Sequence, residues 1–378
     1  MVYVFIRNKI ISCDSILPIA LEINKKTGQS FKFVTWHHPT FLGIQKNTVI
    51  YDCINEIGKF SFIGSRKNRL LDKLFKFFFL IECAYNIVFR KAYIFHFDTL
   101  NTGPFKVLSS LISDKRLIMA QTDSSGYSRT VLEVTRRTKD VDDSTRDLAA
   151  PKKGNLLAFC DNWPWLRDER IENLKAFKVY HPRSRESWNE YIEENYQNYT
   201  SGLNLDKNVI TIILGFFGHF GRIRTPDSVE ECFRETLDLL NELAIENLTI
   251  LLKPHIITDL EKLKGILAEY PSLSFHITYL HPSMLAKVSD LFLCNCYSTA
   301  VYDGYIQDVP VLEFTDYHET ALEITNHKSS RSEYVTHFFN KDKVKFKETL
   351  LETLRDSKKT KNYLEPYQSD EGFFSIFS

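Results

Sequence analysis

The chain has 378 residues, with 48 Lys and Arg balanced by 48 Asp and Glu. That length exceeds the ~250–300 residues at which single cores stop growing, so two domains are expected. A net charge of zero gives no global attraction to nucleic acid, and no nucleic-acid partner is expected.

The start, MVYVFIRNKI, lacks the basic stretch and long apolar core of a signal peptide, which fits a cytoplasmic protein. Residues 2–6 (VYVFI) read as a buried strand. A helix over 14–25 follows, capped by Asp14 or Ser15. FKFVTW (31–36), TVIYD (48–52), KAYIFHF (91–97) and RLIMAQ (116–121) read as further strands, with a helix over 66–90. Within that helix, 74–89 contains Lys76 and Glu82 and is shorter than the ~18–20 clean apolar residues a membrane span needs. Two readings stay open: a buried helix of the first domain, or a helix at the inner membrane surface. In the second, the flanking Arg66, Lys67, Arg69, Lys73, Arg90 and Lys91 meet anionic lipid.

Residues 136–153 are polar and charged and read as an exposed loop. NLLAFCD (155–161) resumes the strands, followed by a helix over 163–177 and KVYHPR (178–183). Residues 184–208 read as helical, then loop-like, and carry the linker. A second alternating series has strands VITIILG (209–215), LTILLKP (248–254), LSFHITYL (273–280), LFLCNC (291–296) and VPVLEF (309–314). Helices lie between them over about 227–244, 259–269, 282–288 and 298–306, and the chain reads as helical again from 341 to 356. Nearly continuous apolar strands alternating with helices indicate parallel sheets covered on both faces.

The fold class is therefore α/β, with two Rossmann-like domains facing across a cleft. Residues 1–190 form the acceptor-side domain, 191–207 a linker and 208–356 the nucleotide-binding domain, while 357–378 form a tail that packs back on the junction. The seven cysteines, Cys13, Cys53, Cys83, Cys160, Cys232, Cys294 and Cys296, show no metal spacing and read as reduced, mostly buried thiols.

The candidate site is read from strand ends. Lys253-Pro254-His255 ends one strand; the proline stops it and projects the histidine, which can donate to a phosphate or leaving-group oxygen. Three other His-Pro pairs, with His38, His181 and His281, and the neighbouring His37 read as satisfied loop histidines. After LFLCNC, Ser298 and Thr299 open a helix, where hydroxyls and unpaired N–H groups suit an anion and also serve as a cap. Asp303 lies one turn on, placed to steady them. Glu313 in VPVLEF suits ribose hydroxyls. The loop GFFGHFGRIR (215–224) offers Gly215, Gly218 and Gly221 for close backbone approach, with His219, Arg222 and Arg224 toward an anion. It is neither GxGxxG nor a P-loop, which argues against ATP hydrolysis. In the first half, Asp123 and Asp161 each follow a strand and are candidates for a general base or a nucleophile, with His96 and Asp98 a weaker pair. No DxD stands at a strand end, so a metal-independent site without a cofactor is expected, the phosphate charge being met by His, Lys, Arg and helix dipoles.

From KPH through SDLFLCNCYSTAVYDGYIQDVPVLEF, the chain resembles the donor domain of GT-B glycosyltransferases of bacterial surface-polysaccharide synthesis. That group includes CMP-Kdo-dependent transferases, sialyltransferases and polyol-phosphate polymerases. The order Pro254-His255, where the group has His-Pro, and Ser298-Thr299, where it commonly has Ser-Ser, are departures. The resemblance implies a nucleotide-sugar donor whose phosphate is met by His255 and cradled by Ser298 and Thr299. It implies transfer, with CMP-Kdo the first donor, to a hydroxyl of a growing lipopolysaccharide O-antigen or capsule glycan, free or lipid-linked, with a peripheral contact at the inner membrane. The rival readings are a CDP-polyol phosphotransferase, a sugar-nucleotide 2-epimerase and a non-catalytic scaffold.

Overall fold

The computed structural model describes residues 1–6, 11–66, 68–96, 104–120, 134, 153–159, 175–179, 181–205, 208–215, 217, 223–225, 227–255, 258–296, 298–356 and 371–377. They divide into two compact units. The first holds the described parts of 1–120 and 153–191 together with 371–377; the second holds Val134 and the described parts of 192–356.

The first unit is built on seven strands: β1 (Val2–Ile6), β2 (Phe31–Thr35), β3 (Gly58–Phe62), β4 (Tyr93–His96), β5 (Leu117–Ala120), β6 (Asn155–Ala158) and β7 (Lys175–Lys178). Their order is β3-β2-β1-β4-β5-β6-β7 and every pairing among them is parallel. Helices α1 (Ile11–Thr27), α2 (His38–Lys46), α3 (Thr48–Ile57), α4 (Arg69–Phe89) and α5 (Pro104–Leu111) supply crossovers. β1 is buried at all five positions, as a central strand covered on both faces should be.

TVIYD, expected as a strand, instead opens α3. Asn47 caps that helix by accepting from the Ile50 N–H at 3.3 Å. The buried residues Val49, Ile50, Cys53, Ile54 and Ile57 recur at helical spacing, and the strand comes one element later, as GKFSF. The helix expected over 163–177 also ends differently: its last three residues belong to β7, whereas residues 163–174 lie outside the described residues. The loop over 136–152 lies outside them too.

Two buried features close this unit. Arg185 donates its Nε–H to the Glu22 carboxylate of α1, with both side chains buried, and its Nη1 bonds the Val179 carbonyl at 3.2 Å. The Phe373 ring lies 5.1 Å from the Arg185 guanidinium. Phe373 is fully buried and the Phe377 ring lies tilted at 5.1 Å from Tyr93, so residues 371–377 pack on the first unit through aromatic contacts. Helix α6 (Glu186–Thr200) then carries the chain onward.

The second unit has six strands: β8 (Asn208–Ile213), β9 (Leu248–Lys253), β10 (Ser274–Ile277), β11 (Leu291–Cys294), β12 (Val311–Thr315) and β13 (His337–Asn340). Their order is β10-β9-β8-β11-β12-β13, again all parallel. The helices are α7 (Ser228–Leu243), α8 (Leu260–Leu267), α9 (Pro282–Val288), α10 (Val301–Ile306), α11 (Glu319–Thr325) and α12 (Lys343–Asp356). Alternate strand residues feed two cores. Ile210, Ile212, Leu252, Leu293 and Phe314 join one, and Val209, Ile213, Leu251, Phe292 and Val311 the other.

Candidate functional site

In both sheets the strand order reverses beside the first strand. In the second unit this happens between β8 and β11, and in an open α/β sheet ligands bind outside the carboxyl ends at that point. One register row crosses the sheet there: Lys253 on β9 pairs Ile213 on β8, Ile213 pairs Cys294 on β11, and Cys294 pairs Glu313 on β12. The row sets Lys253 and Glu313 three strands apart, about 14 Å at the usual strand spacing.

The turns beyond the row are tied together. Leu214 donates to the Lys253 carbonyl at 3.0 Å. Thr258 donates its N–H to the His255 carbonyl at 2.9 Å and its hydroxyl to the Gly215 carbonyl at 3.5 Å. A Cβ added at Gly215 would fall 2.4 Å from the Cys296 sulfur, so only glycine lets the β8 turn pass this close to β11. Asn295 is buried and its Nδ2 donates to the Phe314 carbonyl at 3.0 Å and Thr236 Oγ1 at 2.9 Å, tying the end of β11 to β12 and α7.

His255 is exposed, while its imidazole sits below its ordinary value, first because of surrounding protein and then because of the Lys253 charge. It is therefore a neutral ring near pH 7. The histidines of the three His-Pro pairs, and His37, behave differently. His181 and His281 are buried, and each accepts the backbone N–H two residues on, at 3.3 and 3.1 Å, capping a helical turn that begins with its proline. His37 stands at the N-cap of α2 with its ring 2.8 Å from Thr40 Oγ1, and His38 packs edge-on to Phe62. These four take the structural role expected of them.

Ser298 Oγ accepts from the Ala300 N–H at 3.1 Å, and α10 itself begins at Val301, later than expected. Asp303 is buried and accepts from the Ser283 hydroxyl of α9 at 2.5 Å. Ser298 and Thr299 are half-buried at the end of β11.

Glu313 differs from its expected placement. It is the third residue of a five-residue strand, not its end, and it is buried. Its Oε1 accepts from the Tyr317 hydroxyl at 2.9 Å and its Oε2 from the Ser329 hydroxyl at 2.5 Å. Ser330 N–H donates to Tyr317 OH at 3.3 Å, so the loop 329–331 is held on Glu313 through Tyr317. Burial raises the Glu313 carboxyl; Ser329, Tyr317, Arg224 and Arg331 oppose the rise. The carboxylate the sequence assigned to a ribose is thus an internal anchor between the strand and its loop.

Arg224 lies beside this anchor. Its strand segment bridges Tyr317 in antiparallel fashion, and its charge opposes the burial that raises the Cys296 thiol. Its Nη1 is enclosed with no hydrogen-bond partner among the described residues. An enclosed N–H without an acceptor is costly, and an anion placed there would satisfy it. Sequence reasoning missed Asn295, Tyr317, Ser329 and Arg331; only the run of polar residues in 329–332, beside hydrophobic strands, marked the last two.

Of the other expected residues, Gly218, Gly221, His219 and Arg222 lie outside the described residues, as do Asp98, Asp123 and Asp161. In the first unit the order reverses between β1 and β4, which end at Ile6 and His96, and His96 is buried there. Asp123 and Asp161 follow β5 and β6, one and two strands farther along. Among the described residues no group of three or more His, Cys, Asp or Glu could hold a metal ion.

No family model matches the chain, and no curated protein matches it. Solved structures do. Staphylococcus aureus MnaA bound to UDP superposes with a TM-score of 0.54 at 12% identity, covering 99% of this chain and 93% of that one. The Methanocaldococcus jannaschii UDP-GlcNAc 2-epimerase in complex with UDP-GlcNAc and UDP gives 0.51 at 15% identity, covering 100% and 98%. Identities this low speak for the fold alone: two parallel Rossmann-like sheets in one chain, the GT-B architecture.

Proposed function

We propose that the chain is a nucleotide-sugar enzyme whose second unit holds the nucleotide at the carboxyl ends of β8, β9 and β11. The observation that carries this reading is the enclosed, unpartnered Nη1 of Arg224, beside Cys296 at the point where the strand order reverses. In this reading Arg224 and Lys253 meet phosphate charge, Ser298 and Thr299 offer hydroxyls, and neutral His255 donates a hydrogen bond without adding a second cation beside Lys253. Glu313 does not touch the ligand; it fixes Tyr317 and the 329–331 loop.

The reaction we assign is sugar transfer to a glycan hydroxyl, with CMP-Kdo the first donor to test and Asp123 or Asp161 as the acceptor-side carboxylate. A second reading, 2-epimerisation of a UDP-sugar, is favoured by the near-complete coverage of the UDP-GlcNAc 2-epimerase fold. Titration calorimetry with CMP, CDP and UDP tests the site, and heat from none of the three would remove both readings. Incubation with UDP-GlcNAc alone, followed by proton NMR, separates them: inversion at C2 without acceptor identifies the epimerase. Turnover of CMP-Kdo only when a glycan acceptor is added identifies the transferase.

A further inference from the structure

The least economical surface of the first unit is α4. One side of this helix is ordinary: Phe79, Cys83 and Ile87 are buried against Tyr3, Phe5 and Val34. The opposite side is apolar and open. Leu70, Leu74, Phe78, Ile81, Tyr85 and Phe89 follow one another at spacings of three and four residues, so they form one stripe along the whole helix. Phe78 is 62% exposed and Phe89 72%. Phe75, Phe77 and Val88 widen the stripe, and Val107 and Leu111 of the neighbouring α5 are exposed as well. Contiguous exposed apolar surface of this kind marks an interaction site.

Charge identifies the occupant. The two acids of the helix are compensated within the unit: Asp72 pairs with Lys76 at 2.7 Å, and Glu82 with Lys32 at 2.5 Å and the Tyr3 hydroxyl at 2.9 Å. Exposed cations stand at both ends, Arg66, Arg69 and Lys73 at the start of the stripe and Arg90 and Lys91 after it. A second copy laid on this face, in either direction, would bring cations against cations. An anionic lipid surface meets all of them while its acyl boundary takes the aromatic side chains. No helix among the described residues is long and apolar enough to cross a membrane. At 21 residues α4 is about 32 Å long and suits lying in the interface plane.

We propose that the exposed face of α4 docks the first unit on the surface of an anionic phospholipid bilayer. The stripe enters the headgroup and acyl boundary, and the basic ends hold the headgroups. This docking is independent of the nucleotide reading, because it needs no ligand in the second unit.

Co-sedimentation with vesicles of phosphatidylcholine, alone or mixed with phosphatidylglycerol, tests it on the full chain. The wild type is expected to bind the mixed vesicles, and less so as salt rises. The double variant Phe78→Asp/Ile81→Asp changes only exposed positions, so thermal unfolding should match wild type while vesicle partition falls at least about tenfold. Arg69→Glu/Lys73→Glu should lose the preference for phosphatidylglycerol. Wild-type binding to neither vesicle overturns the proposal, as does unchanged binding of the Phe78→Asp/Ile81→Asp protein. Sedimentation velocity supplies a third overturning result: a wild-type dimer made monomeric by the same double variant would assign the face to a second copy.

Discussion

The Tyr317 hydroxyl donates to Glu313 Oε1 at 2.9 Å, inside the protein, four residues along the chain from it. The bond converts a strand carboxylate into the support of a loop, since Ser329 holds the other oxygen and Ser330 reads the tyrosine. Its titration has a defined direction. The Glu313 carboxyl is raised above its ordinary 4.5 by burial, so the folded state holds the proton more tightly than the unfolded chain does. The stability this group contributes is complete below about 4.5 and is lost as pH rises through the raised value. Glu313→Gln keeps the shape and removes the ionisation. Urea midpoints of the variant should therefore gain on wild type as pH rises across that window; a constant difference would mean that the two arginines fully compensate the charge.

The Arg185–Glu22 pair offers a test of the first unit. Both side chains are buried, and Glu22 also takes Lys26 at 2.9 Å. Removing Arg185 leaves the buried Glu22 carboxylate with only the half-exposed Lys26, so Arg185→Met should lower unfolding free energy by about 3 kcal/mol. Lys25→Ala is the control: its pair with Glu190 is open to water, and its loss should cost less than ~1 kcal/mol. Chemical denaturation of both proteins measures the contrast. Equal losses would place the Arg185 pair effectively in solvent.

Gly215→Ala probes the close passage of β8 and β11. The new methyl would sit 2.4 Å from the Cys296 sulfur and 2.9 Å from its Cβ, in a turn held by the Leu214–Lys253 bond. Overpacking of this kind costs about 1–3 kcal/mol and should weaken nucleotide binding in calorimetry. Adding Cys296→Ala removes the sulfur and should recover part of both losses. A double variant no better than the single one would separate the turn from the cysteine.

His255 carries a pH prediction. Its lowered value keeps the ring neutral until below the ordinary 6.5. Any stability it contributes is present above that value and lost as pH falls through the lowered one. A bound phosphate favours the cation, so donor affinity should rise as pH falls from about 8 to 5, by up to roughly tenfold. A CMP-sugar is the right probe because its phosphodiester does not titrate in this range. In His255→Ala the rise should vanish with the fold intact by circular dichroism; an unchanged profile would take His255 out of the site.

Local periodicity carried much of the fold. The helix expected over 282–288 has those bounds in the structure, and LFLCNC and LTILLKP contain β11 and β9. TVIYD failed because a run as short as Thr48 to Tyr51 fits a strand and a helix equally well. Reading on through Cys53, Ile54 and Ile57 shows the helical spacing, which the short window hid. The candidate site was half legible. Lys253, His255, Ser298 and Thr299 mark strand ends by composition, whereas Tyr317 and Ser329 reach Glu313 from later segments without a repeat to announce them.

The sequence by itself determined that this is an α/β chain of two alternating series, and where most of its strands stop, because burial on both faces imprints continuous apolar runs on the residues themselves. Tertiary structure alone decided three further things. It set the strand order that places the reversal between β8 and β11, it buried Glu313 as an anchor, and it left one face of α4 open. Each depends on which distant segment covers which surface, and periodicity, being local, does not encode that choice.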